Sequence, residues 1–144
     1  MGSYVDDNLM PGEQVVLQTR IHGIVFLPPA VMILLGIGLF MIPIAGLVVL
    51  LVGMAMLVGA SIRHWTSEFA VTDRRVIIKV GLISRQTIEI NMSKVESVEV
   101  RQGILARLLN YGTIVVIGTG GTKEPFDMID DPLAFRRAVQ SQQN

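Results

Sequence analysis

Cysteine is absent from the 144 residues, which excludes disulfides, iron–sulfur ligation and a thiol nucleophile. Histidine is scarce: the two present, His22 and His64, both lie before Trp65, so the C-terminal half cannot assemble a Ser–His nucleophile. Charge of either sign is missing from Gly23 to Ile62, where the only polar side chain is the Ser61 hydroxyl. Intramembrane ionisable groups of the kind that mark a substrate or proton pathway are therefore lacking. A polybasic run is missing too: residues 66–144 carry ten Lys or Arg against nine Asp or Glu. That balance offers no field for nucleic acid and none of the concentrated positive charge that draws a chain to anionic lipid.

What is present is apolar surface, with a mean hydropathy of +0.55 and 51% hydrophobic residues. The forty residues from Gly23 to Ile62 would make a straight helix of about 60 Å, roughly twice the hydrocarbon thickness of a bilayer. Pro43 and Gly46 sit near the middle, where a reversing chain needs a helix breaker and a permissive backbone. The expectation is a membrane helical hairpin over residues 23–62, with arms from Pro28 to Ile42 and from Ile44 to Ile62. Arg20 and His22 before it, and Arg63, His64 and Trp65 after it, are the candidate membrane-interface anchors. Their side of the hairpin is expected to be cytoplasmic, at the cell (inner) membrane, with both termini on that side. Trp65 reads equally as a core residue of the following domain. Pro28-Pro29 in a first helical turn would leave an arm of about 15 residues, near 22 Å, so a full span and a re-entrant hairpin both fit. Small residues stand on both arms; Gly53, Ala55 and Gly59 are candidate contacts, either between the arms or between hairpins of neighbouring subunits. The start, Met1 to Asp7, lacks a signal-peptide pattern, and Asp6 makes Gly2 a poor myristoylation site.

Residues 65–144 read as a mainly-β soluble domain. Strands rich in Val, Ile and Thr are expected at Glu68 to Val71, Arg75 to Val80, Gln86 to Ile90, Val95 to Arg101, Thr113 to Gly118 and around Pro125 to Met128. Ile104, Leu105, Leu108 and Leu109 recur with a helical period, predicting a short helix between Gly103 and Asn110. Gly118 to Thr122 is a hairpin turn, since no Lys-Ser or Lys-Thr pair follows it as a phosphate loop requires. Asp131 as N-cap with Pro132 at the first position predicts a closing helix through Gln142. Residues 1–22 contribute one more strand, Glu13 to Ile21, which needs a partner for its backbone groups and is expected to pair with the C-terminal sheet, making about seven strands.

Four runs carry a resemblance: Phe69-Ala70-Val71-Thr72-Asp73-Arg74-Arg75-Val76; Gly81-Leu82-Ile83-Ser84-Arg85; Ile90 to Val100; and Gln102 through Thr113. With Leu9-Met10-Pro11-Gly12-Glu13 and the hairpin in front, they resemble the bacterial pleckstrin-homology-like (PH-like) membrane proteins over almost the whole chain. The resemblance implies a small antiparallel barrel or sandwich capped by the C-terminal helix, and no established activity. Function is accordingly expected to be non-enzymatic: a membrane-anchored scaffold engaging a protein partner or forming a homo-oligomer, with no cofactor. Candidate partner contacts are Leu105, Leu108, Leu109 and Tyr111, although the same leucines read more simply as core. The alternative is an anionic headgroup site made by Arg74, Arg75, Lys79 and Arg85, for which Arg74-Arg75 also reads as a solvated turn beside Asp73. His22 and His64 begin and end one hairpin, but no third metal ligand stands near them in the sequence.

Overall fold

The computed structural model describes residues 4–144; the expectation made for Gly2 lies outside them. The chain opens with a short helix α1 (Tyr4–Asp7) and strand β1 (Val15–Thr19), then enters the hairpin. The first arm is a 3₁₀ turn (Gly23–Phe26), helix α2 (Leu27–Gly38) and a second 3₁₀ turn (Leu39–Met41). The second arm is α3 (Pro43–Thr66). Both are long and apolar enough to cross a membrane. Pro28 and Pro29 occupy the first turn of α2, where a missing N–H leaves no bond unmade. The flanking 3₁₀ turns, at about 2.0 Å per residue, bring the first arm to roughly 32 Å. It is thus longer than the sequence suggested. Pro43 opens α3 rather than sitting between the arms, and α3 runs on through Arg63, His64 and Trp65. Trp65 is 74% exposed, which rules out its reading as a core residue.

The arms meet through glycine. A Cβ on Gly36 would lie 2.7 Å from the Leu50 amide nitrogen, and one on Gly53 would lie 2.9 Å from that of Ile33. Gly53 is therefore spent inside the hairpin, whereas Ala55 and Gly59 face outward.

After the hairpin, β2 (Glu68–Thr72), β3 (Arg75–Val80) and β4 (Gln86–Asn91) complete a four-stranded sheet in the order β1-β2-β3-β4. Strands β5 (Val95–Arg101), β6 (Tyr111–Gly118) and β7 (Lys123–Asp130) form the second sheet, with α4 (Ile104–Leu108) between β5 and β6. All pairings between strands are antiparallel. The pre-hairpin strand pairs with β2, as expected, and its continuation does more. Ile21 bridges to Ile129 and the His22 N–H donates to the Met128 carbonyl, so this one segment stitches the two sheets together.

Between the sheets Phe69, Val71, Val76 and Ile78 meet Ile114, Val116, Phe126 and Ile129, and α5 (Pro132–Gln142) closes the space with Phe135 and Val139. Ile21, Val25 and Ala60 belong to the same buried cluster, so the base of the hairpin is part of the domain core. The outer face of the first sheet is covered by α1, which the sequence did not announce: Val5 packs on Ala70 and Ile77. Asp131 caps α5 as predicted, accepting the Ala134 N–H at 3.2 Å from a left-handed backbone at φ +43°. Asp131→Ala loses the cap and keeps the strained dihedral, so thermal unfolding should report a loss of about 1–2 kcal/mol, with Asp131→Asn close to neutral.

One core expectation fails. Leu105, Leu108 and Leu109 are exposed, and only Ala106 of α4 is buried. A helical period marks an apolar face without saying what covers it.

Candidate functional site

The β domain has two chemically different ends, fixed by strand direction. Strand β1 runs into the hairpin and β2 runs out of it, with Thr19 paired to Phe69 and Val15 to Thr72. The end near Thr19 is proximal to the hairpin; the end near Thr72 is distal.

At the distal end, Arg75 is a structural clamp. Its Nε and Nη2 donate to the two oxygens of Glu13 at 2.9 Å each, Nη2 also donates to the Asn8 carbonyl at 2.7 Å, and Nη1 donates to Glu89. Glu13 further accepts the Thr72 hydroxyl at 2.7 Å and the Met10 N–H at 2.8 Å. Gly12, at φ +77°, supplies the left-handed turn that brings Glu13 inward. The Leu9 to Glu13 and Thr72 to Arg75 motifs are thus two halves of one buried assembly.

Burial alone would push the Glu13 carboxyl up, but hydrogen bonds from Arg75, Met10 and Thr72, together with the Arg75 charge, outweigh it and hold it at about 2 against an ordinary 4.5. The hydrogen bond to Glu13 likewise raises Arg75, against the opposing effect of burial. A carboxyl lowered by folding stabilises fully above its unfolded value and loses that contribution as it is protonated in the fold. Stability should therefore fall as pH drops from about 4.5 to about 2. Glu13→Gln should be less stable at neutral pH and show a shallower acid decline in urea titrations.

The four candidate headgroup cations do not converge. Arg74 stays in the β2–β3 turn, 3.9 Å from Asp73, while Arg75 is buried and committed to Glu13 and Glu89. Lys79, near the proximal end, lies 4.0 Å from Glu68 with its ammonium over the Tyr4 ring, and Arg85 is exposed in the β3–β4 turn at that same end, away from Arg74 and Arg75. The solvated-turn reading of Arg75 is corrected by the same contacts.

At the proximal end the hairpin anchors gather. His22 stacks on Tyr111 at 5.3 Å between ring centroids and accepts the Ile24 N–H on Nδ1; His64 meets the Phe26 ring edge-on at 5.3 Å. Arg20 lies in the segment that crosses between the sheets, its carbonyl accepting the Asp130 N–H. Beside the last turn of α3, an open cleft of about 400 Å³ is lined by Arg63, Ser67, Ser84, Gln86 and Asp127, with Phe69 and Phe126 at its apolar side. Among the described residues no group of three His, Cys, Asp or Glu is placed to hold a metal ion.

Two antiparallel sheets, a capping C-terminal helix and a hairpin in front form a PH-like architecture. A family model described as Bacterial PH domain matches residues 23–143. The chain belongs to the bacterial PH domain family. PH domains are in general non-catalytic interaction modules, and the PH-like fold fits a module that binds lipid or protein. No curated protein and no solved structure matches the chain. Sequence reasoning missed the role of Glu13, whose signal was the Pro-Gly turn delivering an acidic residue into a strand opposite Thr72.

Proposed function

We propose that this bacterial PH-like protein is a membrane-anchored interaction module, held at the cytoplasmic face by its hairpin and binding a protein partner or further copies of itself. The observation carrying this reading is that the hairpin beyond its base stays outside the domain core: only 17% of each apolar stretch is buried. A core helix of a water-soluble protein would be covered; bilayer hydrocarbon is the natural solvent for a surface like this. A first arm near 32 Å supports a full span over a re-entrant one. Arg20, His22, Arg63 and His64 at the open end, with no charge at the turn, support cytoplasmic termini.

The partner-binding element this reading favours is β4, which ends the first sheet and offers its free backbone side for strand addition. Anchoring both partners in one plane raises their effective concentration, so a modest edge contact suffices. The test is the native mass of the full chain in lipid discs, with companions identified. A multimer or defined heteromer is expected, and it should dissociate in the Gln86→Lys/Thr87→Lys chain, whose edge lysines oppose pairing. A lone monomer in native lipid would refute the interaction reading.

Headgroup binding is favoured at one place, the cleft at the hairpin base lined by Arg63, Ser67 and Ser84, with Asp127 its one carboxylate. On that reading, Arg63→Gln loses co-purifying anionic lipid while the mass of the assembly is unchanged.

A further inference from the structure

The strand registers sort the domain's connections into two sets. Lys79 pairs with Thr87, Arg101 with Thr113 and Tyr111 with Asp130, so the β3–β4 turn and the β5–β6 connection both emerge at the end from which the hairpin leaves. The β2–β3 and β6–β7 turns and the Met92–Lys94 turn emerge at the other end. Two contacts tie the proximal connections to the hairpin base. The cleft beside Arg63 is also lined by Gly81 and Ser84, and Tyr111, three residues past α4, stacks on His22.

The two sets differ in chemistry. The distal turns present Asp73, Arg74, Ser93, Lys94 and Thr119 to Thr122. Two of the proximal connections, Gly81-Leu82-Ile83-Ser84-Arg85 and Gln102 to Asn110, each carry one arginine and no carboxylate, whereas the third, leading into α5, carries Asp130 and Asp131. Ile83 is 97% exposed, Ile104 94% and Leu108 80%, with Leu82 and Leu105 about half exposed. Outside the apolar run 23–62, every exposed large apolar side chain among the described residues, Met10 and Val16 excepted, lies at the proximal end. Trp65 is one of them, on the last turn of α3.

Exposed apolar side chains gathered at one end mark an interaction site, and such side chains mixed with Arg and Trp suit the boundary between headgroups and acyl chains. The geometry points to a second mode of membrane contact: α4 and the β3–β4 turn flank the hairpin base as two apolar feet, inserted into the lipid interface, and hold the PH-like domain flat against the bilayer. The occupant is lipid because this surface continues the apolar surface of the hairpin itself, and because Arg85 and Arg107 place positive charge, with none opposing it on either connection, at headgroup level. The inference rests on the hairpin being the membrane anchor. Its functional consequence is orientation: the domain is fixed relative to the bilayer plane, so the β4 edge is presented at a constant angle to partners anchored in the same membrane.

A cysteine-free chain permits single-site spin labels without background. Full-length Ile83→Cys, Leu108→Cys, Thr119→Cys and Leu51→Cys chains are labelled in discs of phosphatidylcholine and phosphatidylglycerol, and relaxation by oxygen is compared with relaxation by a water-soluble nickel chelate. Oxygen should dominate several-fold at positions 83 and 108, as it does at 51, and the chelate should dominate at 119. Water-like values at 83 or 108 with position 51 in lipid overturn the inference and leave the anchor standing. Shielding of 83 and 108 from both reagents means a protein covers the face, which also overturns it. A water-like value at position 51 refutes the anchor and this inference together.

Discussion

Replacing Arg75 with alanine should lower the stability of the chain by about 3–5 kcal/mol, the range expected when one partner of a buried ion pair is removed. The reason lies in what remains. Glu13 is buried with its two oxygens bound by Arg75, Thr72 and the Met10 N–H, so loss of the guanidinium strands a carboxylate away from water. Asn8 and Glu89 lose a donor as well, and the Leu9 to Glu13 turn is released from β2 and β3. Arg75→Lys should recover little, because one ammonium cannot reproduce the bidentate contact. The double change Glu13→Leu/Arg75→Met should recover much of the loss, since it removes both charges. Denaturant titrations of the four chains in discs separate these outcomes; a double variant as unstable as Arg75→Ala would show that the loss is not stranded charge.

Gly36→Leu should splay the hairpin, at a cost of about 3 kcal/mol or more, near the upper range for overpacking. Its Cβ would meet the backbone of Leu50 at 2.7 Å, and backbone cannot swing aside as a flexible side chain can. Gly53→Leu meets Ile33 in the same way. Gly38 and Gly59 provide the contrast, with nothing within 4 Å of their built Cβ atoms. Alanine there should leave the hairpin intact and, by lowering the entropy of the unfolded chain, add about 0.5–1 kcal/mol. Thermal melts of the helical signal distinguish the two pairs. Equal effects at Gly36 and Gly38 would mean that the arms do not pack as described.

Much of this architecture was legible because it is local. The charge-free run, the Pro43 break, the β-branched strands and the Asp131-Pro132 cap each announce themselves within a few residues. The Arg75 clamp was not, because its main partner lies 62 residues away across the hairpin and adjacent arginines after an aspartate look like a wet turn. Helix α1 was missed for want of length: four residues show no period. The leucines of α4 were misread as core for a different reason. Periodicity gives an apolar face, and whether the rest of the chain covers that face depends on how the connection leaves the sheet, which the local sequence does not state.

The anchor is tested most directly by thiol accessibility in intact cells, with Met41→Cys at the hairpin turn and Asn144→Cys at the end of the chain, in a protein free of other cysteines. A membrane-impermeant reagent should label the Met41 site from outside, and the Asn144 site only after the cells are permeabilised. Labelling of Asn144 before permeabilisation, or recovery of both variants in the soluble fraction, would contradict a hairpin that holds the PH-like domain at the cytoplasmic face.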